Sequence, residues 1–317
     1  MALDLSRLSV SEIRERFLSQ EDPVPAHLLA KMQRDPRGGV RKLCQHLKKR
    51  REGKKRERLR IESMLNFERL LWNSGVRYVA GVDEVGVGPL AGPLVAAAVV
   101  FSPQTFIPGI NDSKRLAPKI REQLAQIIRT KALGVGIGLA KVAEIDQLNV
   151  YHAGILAMRR AVEGLPISPT YLLLDAKQIP GFSIPQTALI KGDALNFSIA
   201  AASIIAKTYR DQLMRELDLR YPQYGFAQHK GYSTPEHQKA IQKHGPSAVH
   251  RRSFTFIEEL CGRYSVLFYA LRDKLVRLSS VQATKEFEKE FKAVRSQLSQ
   301  PEQRKIKLLL ARRWANL

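Results

Sequence analysis

Gly81-Val82-Asp83-Glu84-Val85-Gly86-Val87-Gly88-Pro89-Leu90-Ala91-Gly92-Pro93 is the stretch on which the reading of this chain turns. Two adjacent carboxylates close an apolar run, and a glycine- and proline-rich turn leads into a second apolar run from Leu94 to Phe101. Both runs have strand length. The link from Val85 to Ala91 is too short for a crossover helix, so the two strands are expected to pair antiparallel. A buried carboxylate without a partner costs several kcal/mol. Asp83 and Glu84 therefore need either a cation, or an arginine beside Asp83 with Glu84 left on an exposed turn. Gly86-Val87-Gly88-Pro89-Leu90-Ala91 formally fits the G-x-G-x-x-A dinucleotide fingerprint. That fingerprint has to open a helix, whereas Pro89 and Pro93 bracket this turn and a strand follows.

Outward from this stretch the texture is that of an α/β domain: apolar runs at about 77–84, 92–101, 133–140, 170–175 and 187–191 read as strands, and amphipathic segments at about 117–131, 149–164 and 196–219 as helices. The expected architecture is a mixed central sheet with helices on both faces. Asp175 follows Tyr171-Leu172-Leu173-Leu174, and Asp193 sits in Lys191-Gly192-Asp193. If these strands run parallel to the first, both acids reach the edge holding Asp83 and Glu84, beyond the carboxyl ends of the strands where ligands of open α/β sheets gather. Four oxygen donors suit magnesium or manganese and not zinc. An alternative for Asp193 alone is the N-cap of the next helix. Residues 221–254, rich in Tyr, His, Lys and Gly with a short helix at about 235–243, read as a polar segment able to line a groove.

The flanks differ. In residues 1–65, Leu28, Leu29, Met32, Val40, Leu43 and Leu47 recur at helical spacing, giving two or three short helices, the first two separated by Pro23 and Pro25 and the last running into Glu62 to Leu71. The run Lys48-Lys49-Arg50-Arg51-Glu52-Gly53-Lys54-Lys55-Arg56-Glu57-Arg58 lies here. After Phe254 helical periodicity returns through Leu260, Leu267, Leu271, Leu275 and Leu278, and residues 285–317 form a second basic appendage. The expected organisation is a basic helical extension over 1–65, a catalytic domain over 66–258 and a helical basic extension over 259–317.

Across 317 residues, 52 Lys and Arg against 30 Asp and Glu give a net charge of +22, and the pI is near 10.2. A polyanion is the natural partner of such a surface, the plain alternative being a basic protein that is merely very soluble. No apolar stretch approaches the roughly 20 residues of a membrane-spanning helix. Residues 1–20 are too interrupted by charge for a secretory signal, which leads to an expected cytoplasmic location. Cys44 and Cys261 are far apart, and His46 beside Cys44 completes no ligand set, so neither a disulfide framework nor zinc is expected.

Read in order, Asp83-Glu84 in the glycine turn, Asp112-Ser113-Lys114, Leu174-Asp175-Ala176, Lys191-Gly192-Asp193, Ser198-Ile199-Ala200-Ala201-Ala202-Ser203-Ile204-Ile205-Ala206-Lys207, His229-Lys230-Gly231-Tyr232 and His250-Arg251-Arg252-Ser253-Phe254 resemble the successive signatures of bacterial ribonuclease HII. The resemblance spans about residues 66–256, and the helical N-terminal extension resembles that of Gram-positive members. It implies a ribonuclease H-like fold and a divalent-metal requirement, Mn2+ or Mg2+ with two ions during catalysis. It implies hydrolysis of the RNA strand of RNA–DNA hybrids and incision 5′ of ribonucleotides embedded in duplex DNA, leaving 3′-hydroxyl and 5′-phosphate, by a protein expected to act as a monomer.

By position, the resemblance makes Asp83, Glu84, Asp175 and Asp193 the metal-binding catalytic acids and Tyr232 the aromatic that stacks at the RNA–DNA junction and senses the 2′-hydroxyl. Gly86, Val87 and Gly88 form the substrate-facing turn. Lys114, Lys191, Lys207 and Lys230 are candidate phosphate contacts, solvated surface lysines being the alternative. Tyr232 read alone is equally a half-buried loop aromatic. One departure stands out: the family turn reads Gly-Arg-Gly, and Val87 replaces the arginine with a side chain that has no donor. A rival expectation follows, a hybrid-binding protein of the same fold with lost or impaired turnover. A nuclease of this fold acting on DNA alone is a third, disfavoured by Tyr232.

Overall fold

The computed structural model describes residues 5–18, 24–262 and 264–315, so Pro23 of the expected helix boundary lies outside the described residues. The strands are β1 (Val79–Val85), β2 (Leu94–Val100), β3 (Gly134–Ala140), β4 (Tyr171–Asp175) and β5 (Gln186–Leu189), in one five-stranded sheet of order β3-β2-β1-β4-β5. Every residue of β2 is buried. Successive side chains of a strand point to opposite faces, so a wholly buried strand is covered on both, which is why its sequence is unbroken Leu, Val and Ala. β1 runs parallel to β4, pairing Val79 with Tyr171 and Val82 with Leu174. β4 runs parallel to β5, pairing Asp175 with Leu189. Continuing the first register by one residue sets Asp83 beside Asp175, the meeting of strand ends expected from the sequence.

The helices are α1 (Val10–Leu18), α2 (Ala26–Gln33), α3 (Gly38–Met64), α4 (Asn66–Asn73), α5 (Pro118–Lys131), α6 (Val142–Leu148), α7 (Val150–Glu163), α8 (Gly192–Leu195), α9 (Phe197–Arg220), α10 (Phe226–His229), α11 (Pro235–His244), α12 (Thr255–Leu260), α13 (Val266–Arg277), α14 (Val281–Val294) and α15 (Gln300–Ala315). By contact the chain divides into two compact units, one of Met1–Glu84, Ala96–Gly138 and Met158–Thr208, the other of Val85–Val95, Leu139–Ala157 and Tyr209–Leu317. Among the described residues no helix is long and apolar enough to cross a membrane.

In the first unit the N-terminal helices close a core of their own, with Ile13, Phe17, Leu29, Met32, Val40 and Leu47 buried together. The third helix is not short, as its sequence suggested, but a single 27-residue element. None of its residues between Leu47 and Ile61 is buried, so the basic run stands in solvent as a helix polar all round. Such a helix needs support from side-chain pairs. Arg58 pairs with Glu62 at 3.1 Å and Arg60 with Glu57 at 2.7 Å. Glu57 also accepts from Gly109 N at 2.7 Å, and Arg60 donates to Ile110 O at 2.6 Å, fixing α3 to the loop after β2. In the second unit, α13 to α15 enclose another core of Phe268, Leu271, Leu275, Phe287, Phe291 and Ile306.

Candidate active site

The acids of the first unit are placed by strand ends and one short helix. Asp83 and Glu84 are the fifth and sixth residues of β1, Asp175 is the last of β4, and Asp193 is the second residue of α8, a single turn between β5 and α9. Asp193 does not cap α9. That place belongs to Asn196, whose Oδ1 accepts from Ile199 N at 3.0 Å. The close approach of α9 to β1 depends on Gly81, where a Cβ would lie 2.1 Å from the carbonyl carbon of Ser198. The buried Glu68 of α4 holds the same corner, accepting from Ser198 N at 3.0 Å, Ser198 Oγ at 2.7 Å and Asn196 Nδ2 at 2.9 Å. Ala176 and Lys191, each next to one of these segments' turning points, have φ of 53° and 60°. Non-glycine residues hold that left-handed region only at a cost of about 1 kcal/mol, so the backbone carrying Asp175 and Asp193 is over-determined by its surroundings.

Asp83 is buried, and its burial, reinforced by the charges of Glu84, Asp175 and Asp193, pushes its pKa well above the usual carboxylate range against a hydrogen bond from Ser203. Burial raises Glu84 too, opposed by Lys177. Burial raises Asp175, opposed by a hydrogen bond from Gly192 N at 2.8 Å. Among the described residues no arginine is paired with Asp83, the counter-charge foreseen as one alternative. The cations present are lysines: Lys177 pairs with Glu84, and Lys114 reaches Asp193 at 3.2 Å. Ser203 in turn meets Ser113 Oγ at 2.8 Å, and the mostly buried Arg121 donates to Ser113 O at 3.1 Å, tying the Asp112-Ser113-Lys114 segment to α9.

As they stand, the carboxylates do not form a ready-made ion cage: no group of three or more His, Cys, Asp or Glu side chains among the described residues is arranged to hold a metal. The donor set nevertheless fits a hard divalent cation. Glu84 Oε2 is buried without a hydrogen-bond partner, and three carboxylates with raised pKa share one small region. A divalent ion would relieve both the repulsion and the unmet oxygen. Lys114 and Lys177 neutralise part of the charge until then. Lys177 and Ser203 are functional candidates that sequence reasoning passed over. Ser203 lies within a quoted motif and Lys177 directly follows one, yet their partners are 120 and 93 positions away in the chain, beyond what spacing reveals.

The second unit holds the glycine turn and Tyr232. Val87 and Gly88 are exposed, and the Tyr232 ring, 41% exposed, lies beside Gly88, its Cε1 3.8 Å from where a Cβ there would stand. Gly86 has φ of +98°, and a Cβ would meet Arg210 Nε at 2.4 Å, so only glycine fits. Two fully buried arginines grip this turn. Arg210 donates to Pro93 O at 3.0 Å, Lys230 O at 3.0 Å and Ala91 O at 3.1 Å. Arg251 donates to Gly86 O at 2.6 Å, Val87 O at 3.1 Å and Gly92 O at 2.9 Å. Of the candidate lysines, Lys191 and Lys114 are exposed, Lys207 is half-buried on α9, and Lys230, at φ 54°, folds its ammonium onto Ala227 O.

The sequence profile of ribonuclease HII matches residues 80–257, from the first strand through the Arg251 segment, and the profile of the ribonuclease HII N-terminal domain matches residues 9–72. The chain belongs to the ribonuclease HII family. It is 48% identical to ribonuclease HII of Myxococcus xanthus strain DK1622 over 81% of this chain and 88% of that one. Against ribonuclease HII of Geobacillus thermodenitrificans the identity is 49% over 73% of this chain and 89% of the relative. Among solved structures, the ribonuclease H2 of Pyrococcus horikoshii aligns over 59% of this chain and 98% of its own, with 27% identity and a TM-score of 0.49. The family is one of ribonucleases H, hydrolases acting on RNA–DNA hybrids, and this chain is an enzyme of that class. The three-helix core of α13 to α15 lies beyond both profile matches.

Proposed function

We propose that this ribonuclease HII incises duplex DNA on the 5′ side of embedded ribonucleotides, as well as longer RNA tracts, leaving 3′-hydroxyl and 5′-phosphate ends. The carrying observation is the convergence on the buried Asp83 of three further carboxylates, Glu84, Asp175 and Asp193, each close enough to raise its pKa. In this reading those four acids hold Mn2+ or Mg2+, two ions in the working state. Bound there, the ions would supply an activated water and neutralise charge at the leaving oxygen.

The chain's own residues do the rest. Gly192 N–H orients the Asp175 carboxylate, Ser203 orients that of Asp83, and Lys114 and Lys177 hold Asp193 and Glu84 until cations displace them. The outer face of Gly86-Val87-Gly88 and the ring of Tyr232 contact the ribonucleotide, with main-chain donors reading the 2′-hydroxyl and the ring stacking on the sugar or base. Lys114, Lys191, Lys207 and Lys230 contact phosphates, and the basic face of α3 adds sequence-independent affinity. Residues 1–65, 66–258 and 259–317 serve as extension, catalytic domain and second extension of a monomer. With all four acids present, the reading of a binder without turnover loses its support.

The test is incubation with labelled duplex DNA carrying one ribonucleotide, in Mg2+, Mn2+ or chelator, with the products sized and their ends mapped. Cleavage 5′ of the ribonucleotide in either metal and none in chelator is expected. Incision only within long hybrids, or metal-independent cleavage, overturns the proposal.

A further inference from the structure

His250 and Arg251 sit on a short cross-link in the second unit, where Arg251 N donates to Leu90 O at 2.9 Å and Gly92 N to Val249 O at 2.9 Å, and Ala91 bridges His250. Neighbouring residues of an extended segment send their side chains to opposite sides. Arg251 goes to the turn. It is fully buried, and the hydrogen bonds described above go to main-chain carbonyls. Because peptide units are planar, fixing the carbonyls of Gly86 and Val87 also fixes the directions of the Val87 and Gly88 N–H groups.

His250 goes the other way, and its hydrogen bonds admit one proton arrangement. Ser247 N donates to His250 Nδ1 at 2.9 Å, so that nitrogen is an acceptor and the neutral ring carries its proton on Nε2. That proton can only be given to His237 Nε2, 3.1 Å away. His237 therefore carries its own proton on Nδ1 and donates it to Tyr232 O at 2.8 Å. The result is a one-way chain from Ser247 through two imidazoles to the main chain of Tyr232. It needs both rings neutral, and burial holds His237 down at about 4 and His250 at about 3. Tyr232 N also donates to His229 O at 3.0 Å, and Leu90 N to Gly231 O at 2.8 Å, so the loop is fixed on both sides.

A buried guanidinium and two buried imidazoles are a costly way to fill space that Met or Phe would fill as well. What they add is direction. We propose that His250 and Arg251 are paired positioning residues of substrate recognition: Arg251 sets the peptide planes of the Gly86–Gly92 turn, and His250, through His237, sets the main chain carrying the Tyr232 ring. One dipeptide thereby fixes the spacing between ring and turn. The inference rests on the reading above that ring and turn contact the ribonucleotide.

A double-mutant cycle tests it on full-length protein, with kcat/KM measured on duplex carrying one ribonucleotide at saturating Mn2+. His237→Phe removes the donor to Tyr232 and keeps the ring volume; it should lower kcat/KM about tenfold, the usual effect of one lost buried hydrogen bond. His237→Asn, whose amide nitrogen replaces Nδ1, should restore activity to within about threefold. In a Tyr232→Ala background the Phe change should cost nothing further, because its route of action is gone. Should His237→Phe fail to fold, His237→Gln, with its donor one methylene too far out, carries the same cycle. Arg251→Lys, whose single ammonium cannot span three carbonyls, should also lose about tenfold with Mn2+ affinity unchanged by calorimetry. Equal losses with and without Tyr232 overturn the inference, as does wild-type kcat/KM in Arg251→Lys. If Tyr232→Ala alone cleaves like wild type, the recognition reading itself has failed, and the inference with it.

Discussion

Asp83→Asn separates metal binding from folding in one experiment. In the metal-free protein the Asp83 carboxylate is buried with Glu84, Asp175 and Asp193 as like-charged neighbours, and its pKa stands well above 3.8. A group whose folded pKa is raised contributes stability below its unfolded pKa and loses it as pH rises through the folded value. As pH rises through that window, ionising Asp83 therefore comes to oppose folding, by about 1.4 kcal/mol for each unit of the shift. Asparagine keeps the shape and the contact with Ser203 but cannot ionise. In chelator the variant should gain on wild type as pH rises from about 4 to about 8, by about 1.4 kcal/mol for each unit of the shift, because only the wild type has a buried proton to give up. Metal acts the other way: wild type gains about 2.7 kcal/mol when the ion is at a hundred times its Kd, and the variant gains much less. Urea denaturation in chelator and in Mn2+, at pH 8 and pH 5, reads all four quantities. Cleavage should be abolished, with hybrid binding equal or tighter because a charge repelling phosphate is gone. A variant that does not gain on wild type in chelator as pH rises would refute the reasoning, since Asp83 would then already be satisfied without a cation.

Replacing Lys48, Arg51 and Lys55 by Gln on the solvent-facing part of α3 should reduce the slope of log affinity against log salt by up to about 2.7, as expected for three lost phosphate contacts; an unchanged slope means this face does not meet the duplex. Val87 is 39% exposed and its carbonyl is already held by Arg251, so Val87→Arg leaves the turn in place and adds a donor outside. It should raise kcat/KM roughly tenfold on the single-ribonucleotide duplex and less on a long hybrid, and equal gains on both would sink the view that valine weakens junction recognition. His237 and His250, with pKa of about 4 and about 3 against an ordinary 6.5, stay neutral in the fold while the unfolded chain takes up protons. Stability relative to a His237→Asn, His250→Gln double variant should therefore fall as pH drops from 6.5 to 4, by up to about 1.4 kcal/mol per unit for each histidine; a flat difference measured in chelator excludes the neutral pair.

How far the sequence carried depends on the range of the interaction that each feature rests on. The inner strands β2, β1 and β4 were legible because burial leaves a largely apolar run, unbroken in Leu94–Val100, and a sheet placing those ends together makes four lone carboxylates meaningful. The long α3 was not legible past Leu47, since its solvent-exposed middle has no apolar stripe and is supported by pairs such as Arg60 with Glu57 and by two bonds to a loop 50 residues away. One-turn α8 is too short to show any period, so Asp193 read as a strand end or a cap.

The arginines carry the largest lesson. A missing arginine at position 87 drew attention as a lost phosphate contact, yet the guanidiniums that decide this turn's shape are Arg210 and Arg251, which reach it from more than a hundred residues downstream and spend their donors on carbonyls. Side-chain identity at the tip of the turn is then a separate variable from the turn's geometry. A family member can exchange Arg for Val at the tip and keep its main-chain donors in place, provided the buried pair is intact. On the proposed reading, Val87 tunes how tightly a neighbouring phosphate is held, whereas changes at Arg251 weaken the positioning of the turn itself.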